Sequence, residues 1–257
     1  MNNSLRRVAI FSIGLCLVPL ISHGSAGVMP ARGMPEMPRL VLWAWERPED
    51  LRFAGADTGV GFLAGTIRLK GGEFDFLPRR QPLRVRPATT LVAVVRIETE
   101  PGSALSREQM DKAVKTILEA ALAPQVRAIQ IDFDATVSER AFYRRLLREL
   151  RERLPSSTPI SITALGSWCI GDDWIADLPV DEAVPMLFRL GADKNEVTSW
   201  IGSGRDFREP LCRGSLGVST DEPWKSLPSG RRVYAFSPKS WTEHSLAALY
   251  WEMHAWR

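Results

Sequence analysis

The segment Ala128-Ile129-Gln130-Ile131-Asp132-Phe133-Asp134 alternates apolar and polar residues with a period of two. As a strand it sets Ile129, Ile131 and Phe133 on one face and Gln130, Asp132 and Asp134 on the other. Two carboxylates on one inner face at a strand's exit are costly to bury without partners. About 6.6 Å apart along the strand, they disfavour joint ionisation, which suits Asp134 as a general acid with its pKa raised by Asp132. The structural alternatives are a helix cap near Ser138, or ion pairs with Arg96 or Arg189.

Other apolar runs end in similar groups: Trp43-Ala44-Trp45-Glu46, Arg96-Ile97-Glu98, Ser167-Trp168, Phe188-Arg189 and Thr220-Asp221-Glu222. Aromatic rings beside charged groups suit sugars, whose C–H faces stack while their hydroxyls seek charged partners. Glu222 or Glu98 is the expected second carboxylate, activating water. A carboxyl separation of about 5–5.5 Å would mean retention and about 6.5–9.5 Å inversion. Glu46, Arg96 and Arg189 are expected to hold hydroxyls or an acidic sugar, Trp45 and Trp168 to stack on it, and Asp221 to share the rim. Arg189 cannot shed its charge and needs an anion. Pairing with Asp134 would disarm the acid; pairing elsewhere leaves it free.

Absences narrow the chemistry. Beyond the first 26 residues only His244 and His254 remain, both in the last helix. A Ser-His-Asp triad, a Cys-His pair and a His-rich zinc site therefore lack donors at the strand ends. Gly71-Gly72 and Gly202-Ser203-Gly204 read as turns, not phosphate loops. No cofactor and no metal are expected.

The elements that must position these residues form a series. Strand-like runs are 40–45, 60–64, 91–97, 128–133, 160–165, 183–190, 216–219 and 233–236, several apolar enough for burial on both faces. A helix opens on the capping box Ser106-Arg107-Glu108-Gln109, and another spans about 138–154. The arginines of the second, mixed with Glu139, Glu149 and Glu152, read as a solvated face. Further helices fit 194–201 and 242–256, with Trp200, Trp241, Trp251 and Trp256 expected in the core. Eight strands with intervening helices give an α/β fold, a (β/α)8 TIM-barrel-like architecture. It is incomplete: helices are weak after the first, fifth and seventh strands. The stretch around Lys70-Gly71-Gly72 reads as a hairpin excursion after strand two.

Residues 1–26 read as a signal peptide, with Arg6-Arg7, an apolar run from Val8 to Ile21, and small residues before a cut after Ala26. Residues 27–38 read as a linker and 39–257 as the barrel domain, placing the protein outside the bacterial cytoplasm, secreted or periplasmic. The apolar run is short for a span, so no stable membrane anchor is expected after cleavage. The 257 residues carry a net charge of +3, and two of the basic residues lie in the leader. A near-neutral remainder argues against nucleic acid; a poly- or oligosaccharide is the expected partner. Cys169 should follow the top of one strand and Cys212 precede the bottom of another, which argues against a bridge.

The segments Ile129–Ala135, Ser167–Asp172 and Asp181–Arg189 together resemble an uncharacterised bacterial family, domain-of-unknown-function family 3142, grouped with glycoside-hydrolase-like barrels. That resemblance implies a barrel and a carbohydrate substrate class. A more distant similarity is to family 18 chitinases, whose fourth strand ends in Asp-x-Asp-x-Glu. Gln130, Asp132 and Asp134 stand at those positions, so the first Asp and the terminal Glu are both replaced. Met186-Leu187-Phe188-Arg189 echoes that family's Met-x-Tyr-Asp with the charge reversed. The sequence thus supports an extracytoplasmic glycoside-hydrolase-like enzyme. The alternative is a catalytically silent barrel that binds carbohydrate or an envelope partner.

Overall fold

The computed structural model describes Met34 and residues 36–256; the expected signal peptide lies outside the described residues. Among the described residues there are eleven strands: β1 (Leu40–Ala44), β2 (Glu49–Asp50), β3 (Thr58–Lys70), β4 (Glu73–Pro78), β5 (Leu83–Arg84), β6 (Leu91–Thr99), β7 (Val126–Asp132), β8 (Ile160–Leu165), β9 (Glu182–Met186), β10 (Ser215–Ser219) and β11 (Arg232–Phe236). Five helices accompany them: α1 (Arg107–Ala121), α2 (Arg140–Arg153), α3 (Gly166–Ile170), α4 (Lys194–Gly202) and α5 (Glu243–Ala255).

Eight strands pair in parallel in the order β1-β3-β6-β7-β8-β9-β10-β11, and β1 pairs with both β3 and β11, closing the barrel. Closure leaves the eight barrel strands without an edge; β4, outside the ring, pairs only with β3 among the described residues. Helices follow β6, β7, β8, β9 and β11, but none follows β1, β3 or β10 among the described residues. The hairpin excursion is real but begins earlier than its turn suggests. Residues 60–64 and 66–69 belong to one long β3, continuous through an irregularity between Leu63 and Gly65. Its outer half pairs antiparallel with β4 through Lys70↔Glu73. Gly71 and Gly72, at φ 54° and 96°, supply the left-handed turn that other residues resist.

Alternation divides each strand between two cores. Leu42, Ile129, Ile131, Ile162 and Leu216 pack outward against helices, while Val41, Trp43, Val92, Val94, Ala128, Val184 and Tyr234 fill the barrel. Trp43 fits because Gly61 and Gly217 face it: a Cβ would stand 2.8 Å from its ring at Gly61 and 3.3 Å at Gly217. Met34 and Met37, at the end of the expected linker, are buried in this inner cluster.

Ser106 caps α1 as its capping box predicts, with Gln109 answering. Two expectations need correction. Trp251 is 78% exposed, because α5 buries Leu246 and Leu249 and Trp251 lies round the helix from them. Trp241 and Trp256 are buried, and Trp200 is half-buried. Cys169 and Cys212 form a disulfide, with Cα atoms 5.9 Å apart. The chain turns into α3 at the end of β8, carrying Cys169 over the outside of the barrel. There the segment before β10 meets it: the N–H groups of Arg208 and Glu209 donate to the Cys169 carbonyl at 2.9 and 3.2 Å.

Candidate functional site

A cavity of about 400 Å³ opens at the C-terminal end of the barrel, where β-strand ends converge. Its floor is polar and tied together. Trp43 Nε1 donates to Gln130 Oε1 (2.8 Å), Gln130 Nε2 to Ser161 Oγ (3.0 Å), and Ser161 Oγ to Glu182 Oε1 (3.1 Å). Tyr234 Oη donates to the same Glu182 oxygen at 2.5 Å, and Arg232 Nη1 to Oε2 at 2.7 Å. Every donor in this chain points toward one buried carboxylate, so the low surrounding dielectric strengthens each bond. Glu182 and Tyr234 are residues that sequence reasoning missed. The only signal was a charged residue opening an apolar strand, with its counter-ion fifty positions away.

Above that floor stand the two aspartates of β7 and its exit. Asp132 accepts from Thr163 Oγ1 at 2.8 Å and lies 3.9 Å from Arg96. Burial raises its pKa above the usual carboxylate range; the Thr163 bond opposes this, the Asp134 charge adds to it, and Arg96 offsets it. Asp134 accepts no hydrogen bond and makes no ion pair among the described residues. It is exposed at the mouth, yet protein surrounds its carboxyl on enough sides that desolvation raises its pKa, with Arg96 pulling the other way. Neither aspartate caps a helix: Thr136 and Glu139 form the capping box ahead of α2. Tyr143, behind β7, is pushed well up by burial and by both aspartates.

Aromatic rings and two arginines form the walls. The Arg96 guanidinium lies 6.0 Å from the Trp45 ring centroid and pairs with Glu98 at 3.1 Å. Phe188 and Phe236 stack with centroids 5.5 Å apart. Arg189 lies over Phe236 at 5.1 Å and reaches Asp221 at 3.3 Å, so its anion is Asp221 and not Asp134. Arg189 has a left-handed φ of 52°, unusual for a residue with a side chain, and its N–H donates to both oxygens of Glu222 (3.2 and 3.1 Å).

The structure therefore brings Trp45, Arg96, Asp132, Asp134 and Arg189 to one cavity. Other expected residues stand elsewhere. Trp168 is buried on α3, edge-on to Trp174 at 4.9 Å, because the chain coils at Gly166 instead of extending β8 to a rim. Glu46 is exposed outside the lining, and Glu98 bridges Arg68 and Arg96. Glu222, expected to activate water, holds the Arg189 backbone and does not line the cavity. Asp221 contacts the site only through Arg189, its other oxygen accepting from Ser219.

In sequence, no curated protein matches the chain. In structure it is similar to the Bacillus cereus spore cortex-lytic enzyme SleL, at 19% identity and a TM-score of 0.47, covering 71% of this chain and 51% of that one. It is also similar to a chitinase from Rhizomucor miehei, at 16% identity and a TM-score of 0.47, covering 71% of this chain and 69% of that one. The chain thus spans about half the length of the first of these. Residues 86–185 match the model of a family described as Domain of unknown function (DUF3142), a stretch that runs from ahead of β6 into β9 and carries both Asp132 and Asp134.

Proposed function

We propose that this barrel is an extracytoplasmic glycoside hydrolase acting on a poly- or oligosaccharide, with Asp134 as general acid. The observation that carries this reading is Asp134 itself, unpartnered at the mouth of an aromatic-walled cavity and held protonated longer than an ordinary aspartate. In the proposed complex a sugar ring stacks on Trp45 or on the Phe188–Phe236 pair, and Asp134 protonates the departing oxygen. Asp132, steadied by Thr163, meets the positive charge that develops at the sugar. Arg189 is free to bind a substrate oxygen because Asp221 neutralises only part of its donor fork. Export is supported by the leader-like residues 1–26 and by the Cys169–Cys212 bridge, since such bonds persist mainly in oxidising compartments.

A glycan screen with wild type and Asp134→Asn tests the reading. Loss of a general acid is expected to lower turnover by about 100-fold or more; equal activity in the two proteins removes Asp134 from the mechanism. One observation favours the silent-barrel alternative: the only carboxylates lining the cavity among the described residues are Asp132 and Asp134, side by side on one chain segment. None faces them across it. Glycan binding without turnover of any bound ligand would select that alternative.

A further inference from the structure

A second concavity, about 880 Å³, lies at the same end of the barrel, between the loop after β6 and the start of α2. Arg107, Arg140, Arg144, Arg145 and Arg148 line it. Carboxylates neutralise two of them: Arg107 pairs with Asp111 and Glu149, and Arg140 with Asp172. The other three find none. Arg144 donates to the Trp174 carbonyl at 2.7 Å and Arg148 to the Arg144 carbonyl at 3.4 Å, while Arg145 has no hydrogen bond or ion pair among the described residues. Arg140 Nε is also buried without a partner.

Like charges four residues apart destabilise a helix, and Arg140, Arg144 and Arg148 repeat that spacing. Glu149 and Glu152 stand four residues after Arg145 and Arg148, but among the described residues Glu149 pairs with Arg107 and Arg153, and Glu139, the one carboxylate lining the cleft, is taken up by Thr136. Here three guanidinium groups instead face a concave surface, which focuses their field. Guanidinium forks fit carboxylates in particular. We propose that this cleft binds an anionic, carboxylate-bearing polysaccharide strand, independently of chemistry at Asp134. Duplex DNA and anionic membranes are disfavoured. Residues 27–257 as a whole are nearly neutral, and Val137 is the one exposed large apolar side chain among the described residues lining the cleft, Met110 and Phe142 being buried.

The test titrates the full-length protein with polygalacturonate, with neutral dextran as control, at about 50 and about 300 mM NaCl. Polygalacturonate should bind, more weakly at the higher salt, and dextran should not share the salt dependence. The triple variant Arg144→Gln/Arg145→Gln/Arg148→Gln should lose about tenfold or more in affinity. Arg145→Glu, at an exposed and unpartnered position, should weaken binding without a change in fold. Three results would overturn the proposal: no polygalacturonate binding, wild-type affinity in both variants, or tighter binding of duplex DNA or anionic lipid vesicles at about 150 mM salt.

Discussion

Arg189 combines a left-handed backbone with a side chain that lines the cavity, and such strain is held only where the surroundings over-determine it. Glu222 does the holding, by accepting the Arg189 N–H. Both Arg189→Gly and Arg189→Ala lose the Asp221 pair and the ring contacts, so their difference isolates the backbone. Glycine adopts this φ freely. Thermal unfolding should therefore find Arg189→Gly more stable than Arg189→Ala by about 1 kcal/mol, the reverse of their order in ordinary secondary structure. Asp132 makes a second prediction at this scale. Its raised pKa means the folded state keeps more protons than the unfolded chain between the ordinary and the raised value. Stability therefore falls as pH rises through that window, and the penalty is complete above it. Asp132→Asn keeps an oxygen for the Thr163 hydroxyl and removes the charge. It should melt above wild type at pH 8 or so, with the gap closing below about pH 4. The spacing of two aspartates on one strand face predicts that Asp132 raises Asp134; burial instead raises both, and the charge of one acts on the other only at Asp132. The Thr163 bond was not legible in the sequence, because it crosses from β7 to a strand that alternation alone cannot place in register.

At the scale of elements, alternation read β7 correctly residue by residue, since a strand with helices outside and a cavity inside has two distinct faces. The same logic misplaced Trp168 by carrying β8 onward past Gly166. There the chain coils into α3, and a Cβ at Gly166 would stand 2.8 Å from Val197, so the helix packs closely on α4 only with glycine at its start. That turn is also why the disulfide escaped the sequence: strand order was readable, but the path of the connecting segments was not. Closing a loop over 43 positions, the Cys169–Cys212 bridge should contribute about 4 kcal/mol by restricting the unfolded chain. Cys169→Ser/Cys212→Ser should show that loss in denaturant unfolding, and a reductant should lower wild type to the same level. An unchanged midpoint in both would mean that the packing of α3 against the segment before β10 holds that region without the bond.

At the scale of the whole molecule, closure puts a charged residue where an ordinary barrel holds aliphatic layers. Glu182 is buried with Arg232, and Arg232 also donates to the carbonyls of Met34 and Pro38, so one ion pair ties β9, β11 and the lead-in beneath the inner core. From Glu182 the hydrogen bonds climb through Ser161 and Gln130 to Trp43, which lines the cavity floor. Gln130 acts here as a link: it accepts from Trp43 and donates to Ser161, which a carboxylate could not do. The floor beneath Asp132 is therefore set from the opposite end of the barrel. Removing one partner of a buried ion pair leaves an uncompensated charge, at a cost of about 3–5 kcal/mol, whereas replacing both with neutral groups is close to neutral. Arg232→Met should lower the unfolding free energy measured in urea by that amount, with a lower midpoint, and Glu182→Gln/Arg232→Met should recover most of it. Because the same bonds orient Trp43, the single variant should also change the near-ultraviolet dichroism of the tryptophans before unfolding begins. A lowered midpoint with an unchanged native spectrum would confine the ion pair to holding the lead-in, and would uncouple the bottom of the barrel from the floor of the cavity.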